Sequence, residues 1–308
     1  MPPFAFVSEP LDRRAAVRDD ERLLAAALAD PGTRVIVFSN GECLLESPES
    51  WRLRLLSPRE LAEIDIAPWP PVFLGMDSNG RAIFAIEIDA VQRERIEQPH
   101  FVAIWREAGR LPADEGAIFA YAKGMLEWHV RHRYCGRSGA ENAVASAGHR
   151  LIGGAENVQF PRVDPAIIVL VHRDDECLLG RKVGWPEHMY ATIAGFVEPG
   201  ESLEAAVRRE VKEETDVAVE EVTYIASQPW PFPSQLMVGF HARAGSHAIA
   251  LNDKELADAR WFTREDIASG RFRIPPTMSI AFHLIERWFD RPGSTALRGL
   301  APDLRWGA

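Results

Sequence analysis

The stretch that most restricts how this chain can fold is residues 195–217, GFVEPGESLEAAVRREVKEETDV, in which a glycine-rich turn precedes a segment with helical periodicity. The periodicity predicts a helix over residues 203–215, with apolar residues on one face and glutamates on the other. Glu210, Glu213 and Glu214 stand at positions i, i+3 and i+4, so their side chains are neighbours on that helix. Like charges at this spacing repel by roughly 0.2–0.5 kcal/mol per pair, and another group must offset the repulsion.

A divalent cation is the natural partner for such a cluster. Carboxylate oxygens suit Mg²⁺ or Mn²⁺, and these ions also bind the phosphates of substrates. Glu201 lies just before the predicted helix and can reach the same place, while Arg209 can pair with a neighbouring carboxylate and fix its orientation. Gly195 and Gly200 are predicted to allow the tight loop that brings the preceding strand against the start of the helix. A merely solvated acidic face would explain three glutamates alone, but not the glycines and the arginine at these offsets.

The stretch resembles the Nudix box, G-x5-E-x7-R-E-U-x-E-E-x-G-U, where U is a bulky aliphatic residue. The matching positions are Gly195, Glu201, Arg209, Glu210, Val211, Glu213, Glu214 and Val217. Asp216 stands where the box has glycine, and because aspartate tolerates a left-handed conformation, the helix end is still expected to form. The resemblance implies an enzyme that hydrolyses nucleoside diphosphates linked to another moiety, with Mg²⁺ or Mn²⁺ held by the box glutamates.

The resemblance also implies roles for individual residues. Glu210, Glu213 and Glu214 are expected to bind the metal, one of them doubling as the general base, and Arg209 joins them as a catalytic residue. Glu255, in the sequence DKELADARW, matches a further acidic residue near the metals. Spacing leaves open which glutamate takes the proton.

A second motif, SQPWPFPSQLM at residues 227–237, follows shortly after the box. Its prolines predict a stiff, extended loop with few backbone donors. It resembles the SQPWPFPxS motif of the NADH pyrophosphatase branch of the Nudix superfamily, except that the serine expected at Gln235 stands at Ser234. FLGMDSNGRAIFA and LEWHVRHRYCG also look like that branch, so the resemblance covers most of the chain. The residues it implies for substrate binding are Phe160, Phe196, Gln228, Trp230, Gln235 and Ala281.

In this branch, an aromatic residue before a proline helps to form a nicotinamide pocket at a dimer interface, and Phe160-Pro161 matches it. Phe196 matches the stacking aromatic, and Ala281 the lining of the adenine or nucleotide site. The implied enzyme is a homodimer that hydrolyses the pyrophosphate bond of NAD(H) to nicotinamide mononucleotide (NMN or NMNH) and AMP. A broader dinucleotide or ADP-ribose pyrophosphatase and an enzyme that removes NAD caps from RNA 5′ ends are the alternatives. A non-catalytic nucleotide-sensing module is a further one, but it would be expected to lack box acids.

The order of predicted elements favours an α+β fold. RVIVFSNGECLL (34–45) and PVFLGMDSNGRAIFAIEI (71–88) each predict a β-hairpin, and residues 113–135 predict a helix. The resemblance implies a Nudix α/β/α sandwich with a mixed sheet, preceded by a β-rich, Nudix-like domain. We therefore divide the chain into a β-rich N-terminal domain at 1–125, a connector at 126–160 and a catalytic domain at 161–308.

The connector is poor in periodicity and departs from the family. The branch commonly carries a zinc ribbon with two CxxC pairs here, but CGRSG keeps only Cys135, Ser138 replaces its partner and the second pair is absent. Because tetrahedral zinc needs four nitrogen or sulfur ligands, structural zinc is not expected, and the segment is interpreted as a degenerate ribbon. His129, His132 and Cys135 recur every three residues, which predicts one face of a helix rather than a metal site.

Composition limits the remaining function classes. The formal net charge of −10 argues against a broad nucleic-acid-binding surface, although not against a local basic pocket. Cys43, Cys135 and Cys177 are far apart, which fits a reducing compartment. No apolar run reaches the roughly 20 residues that span a bilayer, and the N-terminus lacks a signal pattern. A cytoplasmic protein that does not enter a membrane is therefore expected.

Overall fold

The computed structural model describes residues 4–62, 64, 70–105, 107–154, 157–252, 254–292 and 294–300. Contacts within the chain divide it into two units. The N-terminal unit comprises Ala5–Val163 together with Trp230–Ser234. The C-terminal unit comprises Phe4, Asp164–Pro229 and the described residues from Gln235 onward.

The N-terminal unit is built on a sheet of short strands. These strands are β1 (Leu11–Asp12), β2 (Arg34–Ser39), β3 (Glu42–Leu45), β4 (Leu55–Leu56), β5 (Val72–Asp77), β6 (Ala82–Glu87) and β7 (His100–Val102). They form one sheet in the order β1-β5-β6-β2-β3-β7, with β4 paired to β2. The helices of this unit are α1 (Glu21–Ala29), α2 (Pro58–Leu61), α3 (Ala90–Arg93) and α4 (Ala113–Arg131).

Both hairpins predicted in this unit are confirmed. β2 and β3 pair antiparallel across a two-residue turn, in which Asn40 has φ 51° and Gly41 has φ 77°. Two left-handed residues in succession match the twist of the flanking strands. β5 and β6 also pair antiparallel, and Asp77 accepts hydrogen bonds from the backbone N–H groups of Asn79 and Arg81, each at 2.9 Å. Local turn chemistry therefore supports both pairings.

The helix predicted over residues 113–135 is confirmed, but it ends at Arg131. Cys135 lies beyond that end, so the expectation that it shares a helix face with His129 and His132 was wrong. In place of an irregular connector, the structure has a small antiparallel sheet of β8 (Ala143–Ala145), β9 (Arg150–Gly153) and β10 (Asn157–Gln159). Strands this short show little alternation of apolar and polar residues, which explains why the sequence pattern did not indicate them.

Cys135 lies in a turn close to this small sheet. Its backbone N–H donates to the carbonyl of Ala140 at 2.7 Å, and its own carbonyl accepts from the N–H of Gly139 at 2.8 Å. Asn157 Nδ2 donates to the Cys135 Sγ at 3.4 Å. Hydrogen bonds from Ser138, then from Asn157, lower the pKa of the thiol from 9.0 to about 6. The buried sulfur is thus surrounded by hydrogen-bond donors.

The C-terminal unit contains a second, larger sheet. Its strands are β11 (Asp164–Arg173), β12 (Glu176–Lys182), β13 (Ile193–Phe196), β14 (Val219–Trp230), β15 (Gln235–Ala244) and β16 (Leu256–Thr263). They are ordered β14-β15-β11-β12-β16, with β13 paired to β11. The helices are α5 (Leu203–Thr215), α6 (Arg264–Ala268), α7 (Ile280–Phe289) and α8 (Leu297–Leu300).

This second sheet is mixed and is covered by a helix on each face, as expected. β15 runs parallel to β11, whereas β12 and β13 run antiparallel to it. Along β11, Ile167 and Val169 pack in the core that contains α5. Ile168 and Leu170 pack in the core that contains α7. A strand buried on both faces reads as a continuous apolar run, as this one does. The α/β/α sandwich is therefore confirmed.

Residues 227–237 do not form the extended loop that their prolines predict. β14 continues to Trp230 and β15 begins at Gln235, so the two neighbouring strands take up most of the stretch. Phe232 N–H donates to the carbonyl of Trp230 at 2.8 Å within the turn. β14 is the edge strand of its sheet, where proline is tolerated because outward-facing N–H positions have no ladder partner.

Among the described residues, none of the helices combines the length and apolar character that crossing a bilayer requires.

Candidate active site

α5 carries the glutamates that the sequence predicts as the active centre, and local chemistry sets both of its ends. At the start, Ser202 Oγ accepts a hydrogen bond from the N–H of Ala205 at 3.2 Å, which caps the helix. Gly200, in the loop before it, has φ 93°, a conformation that glycine adopts readily. At the end, Asp216 has φ 57°, so the left-handed helix end expected with aspartate in place of glycine is confirmed.

Gly195 has a different role from the one predicted from sequence. It lies within β13 and its φ is not positive, so the loop does not depend on its conformational freedom. A Cβ atom at this position would stand 2.0 Å from Cδ of Glu210, and 2.1 and 2.2 Å from its two carboxylate oxygens. The missing side chain of Gly195 therefore leaves the space in which the Glu210 carboxylate lies against the backbone of β13.

One guanidinium joins the acidic side chains. Arg209 Nη1 donates to Glu210 Oε1 and to Glu213 Oε2, both at 2.9 Å. Arg209 Nη2 donates to Glu201 Oε1 at 2.6 Å and to the carbonyl of Phe196 at 2.9 Å. Arg209 Nε donates to Glu201 Oε2 at 3.1 Å. The rigid donor geometry of arginine thus orients three carboxylates and ties α5 to the end of β13.

The cluster holds more negative than positive charge. Burial raises the pKa of Glu210 above its ordinary value of 4.5, and hydrogen bonding to Arg209 opposes this. The charges of Glu213 and Glu255 raise the pKa further, so Glu255 lies within electrostatic range of Glu210. Glu214, four residues after Glu210 on α5, is only 2% exposed and faces protein rather than solvent. Glu210 therefore lies within electrostatic range of Glu213 and Glu255, and Glu214 is buried on the same helix.

The donor set suits a hard divalent cation. Its side chains offer carboxylate oxygens, the ligands that Mg²⁺ and Mn²⁺ prefer. Burial is the main cause of the raised pKa of Glu210, with smaller contributions from the charges of Glu213 and Glu255, and a divalent cation would favour the ionised form of all three. In the part of the chain that the structure describes, no three acidic, histidine or cysteine side chains are already arranged to hold an ion, and Arg209 lies between Glu210 and Glu213. Arg209 contacts only Oε1 of Glu210 and Oε2 of Glu213, so the second oxygen of each carboxylate could bind an ion while Arg209 holds the first.

Four residues predicted to bind substrate lie in the C-terminal unit. Phe196 ends β13 and is 55% exposed, beside the carboxylate cluster. Gln228 is fully buried, and its Oε1 accepts from the N–H of Ile280 at 2.8 Å, which positions the start of α7. Ala281 is buried in the first turn of that helix, so the structure brings it close to Gln228. Gln235 is partly buried at the start of β15.

The two other residues predicted to bind substrate belong to the N-terminal unit. Phe160 follows β10 and is 66% exposed. Trp230 packs against Phe6 and Phe232, with ring centroids 6.2 and 5.4 Å away. Trp230 is therefore part of an aromatic cluster within its own unit.

Two features of the site were not predicted from sequence. One is the space that Gly195 leaves for a carboxylate, and the other is the carbonyl of Phe196, which accepts from Arg209. The predicted ligands also leave out Glu201, although Arg209 binds both of its carboxylate oxygens, and the N–H of Glu198 donates to it at 2.8 Å. A glycine inside a predicted strand, rather than in a turn, is the signal that could have indicated a close approach.

Comparison with known protein families gives two matches along the chain. Residues 162–282 match the NUDIX domain, and residues 32–128 match the NADH pyrophosphatase-like rudimentary NUDIX domain. The first match contains β11 to β16 and the carboxylate cluster. The second contains both hairpins of the N-terminal unit.

The chain is also similar to individual proteins of known activity. It is 33% identical over 330 residues to the NAD-capped RNA hydrolase NUDT12 of Homo sapiens, a match that covers 90% of this chain and 71% of that protein. It is 36% identical over 269 residues to the NAD-capped RNA hydrolase NudC of Mycobacterium bovis, covering 80% of this chain and 86% of that protein. Among solved structures, a NUDIX hydrolase from Nitrosomonas europaea gives a TM-score of 0.44 at 18% identity, covering 53% of this chain and 95% of that one.

Proposed function

The chain belongs to the NADH pyrophosphatase branch of the Nudix hydrolase superfamily, and on that premise we propose that it hydrolyses the pyrophosphate bond of NAD(H) to NMN or NMNH and AMP. The observation that carries the proposal is the carboxylate cluster on α5. Arg209 orients its members, and Gly195 leaves the space that Glu210 fills. The phosphates of a pyrophosphate are negatively charged. A group of carboxylates can therefore act on them only when a cation binds between the two.

Charge explains this requirement. A pyrophosphate linkage carries two negative charges, and carboxylates alone would repel it. We propose that Mg²⁺ or Mn²⁺ is held by Glu210, Glu213, Glu214 and Glu255. When bound, the ion neutralises phosphate oxygens and activates a water.

The residues of the chain supply position and a proton acceptor. One of the α5 glutamates takes a proton from the attacking water, whose oxygen bonds to one phosphorus while the bridging P–O bond breaks. The two products leave as monophosphates. Arg209 acts on this step through the carboxylates it orients, since its hydrogen bonds fix Glu201, Glu210 and Glu213.

We propose that exposed aromatic rings bind the nicotinamide end of the substrate. Phe196 is 55% exposed beside the cluster, and Phe160 is 66% exposed. Large aromatic side chains left in solvent are available for stacking, which contributes roughly 0.5–1.5 kcal/mol per ring pair beyond burial. The other residues proposed to bind substrate are Gln228, Trp230, Gln235 and Ala281.

Removal of the NAD cap from RNA is a second candidate function, because both relatives described above are NAD-capped RNA hydrolases. A capped 5′ end contains the same pyrophosphate, so the same carboxylates would serve. The formal net charge of −10 provides little general attraction for a polyanion, which favours the small substrate. Comparing kcat/KM for NADH, NAD⁺, ADP-ribose and NAD-capped RNA at one salt concentration distinguishes these activities.

We further propose that the protein is a cytoplasmic homodimer. Ile152 and Val158 are cross-strand partners in the small sheet and both are exposed, which leaves an apolar surface that a second copy could cover. Cys43, Cys135 and Cys177 are all free thiols, which suits a reducing compartment. Light scattering at several protein concentrations tests the dimer.

The experiment that tests the main proposal is an assay of NADH hydrolysis with Mg²⁺ or Mn²⁺, in which the products are separated and quantified. Equal amounts of NMNH and AMP, formed only when metal is present, are expected. A folded, metal-loaded protein that hydrolyses none of the four substrates would refute the proposal.

A further inference from the structure

Two arginines in the N-terminal unit have no acidic partner among the described residues. Arg13 and Arg18 belong to the sequence LDRRAAVR, which begins with β1. Within the described residues, no carboxylate lies at salt-bridge distance from either guanidinium. Arg18 Nη2 makes two long hydrogen bonds, of 3.4 Å each, to the carbonyl of Arg13 and to the hydroxyl of Tyr121. Arg18 Nε is buried without a hydrogen-bond partner, so the charge is partly desolvated and not compensated.

The acids nearest in sequence are bound elsewhere. Asp12 pairs with Arg14 at 3.8 Å. Asp19 accepts from Arg150 at 2.7 Å, and Asp20 accepts from a backbone N–H of α1 at 3.0 Å. Since each of these carboxylates already has a partner, two positive charges remain together in a chain that is acidic as a whole.

Aromatic and imidazole rings surround these charges. Arg13 Cζ lies 4.2 Å from the centroid of the Tyr121 ring. His149 is buried, and burial lowers its pKa to about 4, with further lowering from the charges of Arg18 and Arg13. The charges of both guanidiniums therefore act on His149, and its imidazole stays neutral at neutral pH.

We propose that Arg13, Arg18 and the Tyr121 hydroxyl form an anion site that binds one phosphate group. The planar donor fork of arginine matches the oxygens of phosphate, and charge-assisted hydrogen bonds to it are strong. A phosphate monoester carries a charge of about −1.5 to −2 at neutral pH, which balances two guanidiniums, whereas one carboxylate balances only one. Bound phosphate would also compensate the partly buried charge of Arg18.

The site goes beyond the proposed hydrolysis and does not depend on it. The site would recognise a phosphate group whose charged oxygens are accessible. Inorganic phosphate and a nucleoside monophosphate both carry such a group. Arg13 is exposed and Arg18 is partly exposed, so such a group can reach the outer edge of both side chains.

The test is a titration of the intact protein with inorganic phosphate or AMP, followed by hydrogen–deuterium exchange in peptides that contain β1 and the middle of α4. EDTA and constant ionic strength keep metal-dependent binding at the α5 carboxylates out of the measurement. We expect both segments of the wild type to gain protection. Arg18→Gln should raise the ligand concentration that gives half of this protection about tenfold or more, because a charge-assisted bidentate contact is lost.

Arg14→Gln is the matched control. Arg14 lies in the same segment, but it is exposed and already pairs with Asp12, so its replacement should leave phosphate binding unchanged. Arg18→Lys retains the charge without the fork and should bind with intermediate strength. If Arg18→Gln does not fold, as judged by circular dichroism, Arg13→Gln provides the same comparison from an exposed position.

Protection by both ligands supports the site and shows that free phosphate is sufficient to occupy it. Protection by AMP alone supports the site and shows that it takes the phosphate of a nucleotide. Absence of protection in the wild type overturns it. Equal weakening by Arg14→Gln and Arg18→Gln also overturns it, since general charge would then explain binding. NADH hydrolysis measured in parallel reports on the proposed function separately, because Arg18 is distinct from the residues assigned to that reaction.

Discussion

Gly195→Ala should disable the enzyme and leave its fold intact, because the added methyl group occupies the space of the Glu210 carboxylate. An alanine Cβ would stand 2.0 Å from Glu210 Cδ, whereas ordinary contact begins at 3.4 Å, so the carboxylate must shift by 3.4 less 2.0, or 1.4 Å. Misplacing a reacting group by about 1 Å can lower the rate about 100-fold, which corresponds to roughly 2.7 kcal/mol of transition-state stabilisation. Overpacking should lower the free energy of unfolding by about 1–3 kcal/mol.

Gly200→Ala is the matched control for this change. Gly200 has φ 93°, and an added Cβ would have no neighbour within 4 Å, so alanine strains the backbone without touching a carboxylate. It should lower the free energy of unfolding by about 1–2 kcal/mol and leave kcat close to that of the wild type.

The assay measures kcat and KM for NADH across a range of Mn²⁺ concentrations, with the free energy of unfolding taken from denaturant titration. In a Glu210→Ala background the added methyl no longer meets a carboxylate, so Gly195→Ala should cause little further loss of stability. The reasoning is refuted by wild-type kcat in Gly195→Ala at saturating metal. An equal loss of stability in the two backgrounds would refute it as well.

Glu213→Gln and Glu214→Gln should each lower kcat by roughly two orders of magnitude or more, and wild-type turnover in both variants would contradict their role as ligands. Elemental analysis should find no stoichiometric zinc, and about one tightly bound zinc per chain would show that other ligands replace the lost cysteines. Phe196→Ala and Phe160→Ala should weaken use of NADH about tenfold but affect ADP-ribose less, and equal losses on both substrates would assign the rings to another role. Because the pKa of Glu210 is raised above 4.5, a titration between about pH 4 and pH 8 should show Mn²⁺ affinity falling on acidification before that value is reached. The raised pKa also affects the stability of the metal-free protein. The contribution of Glu210 is present below the pKa of its unfolded state and is lost as pH rises through the higher pKa of the folded state. Thermal unfolding at several pH values would measure this loss.

Local pattern was sufficient for several elements. The helical repeat of residues 203–215 gives the bounds of α5, because a helix with one apolar face shows its period in the sequence. The sequence predicted the turns at Asn40-Gly41 and at Asp77, because their residues favour left-handed or side-chain-capped conformations.

Other features depended on how distant segments pack. The prolines of residues 227–237 suggested a stiff, extended loop, but the pairing of β14 and β15 accommodates them at a sheet edge. The strands β8 to β10 were missed because each is too short to show a period. Gln228 carries no local sign that its amide will accept from the N–H of Ile280, 52 positions away in the sequence.

The chain by itself determined which residues form the candidate active site, since the glutamates share one helix face and that spacing is a property of the helix alone. The tertiary structure decided how they are held. Arg209 reaches Glu201 and the carbonyl of Phe196 only because α5 folds back on the end of β13. The close packing of α5 on β13 also gives Gly195 its role, which is to leave space for the Glu210 carboxylate rather than to form a turn. That space depends on the distance between a strand and a helix, which sequence spacing does not specify.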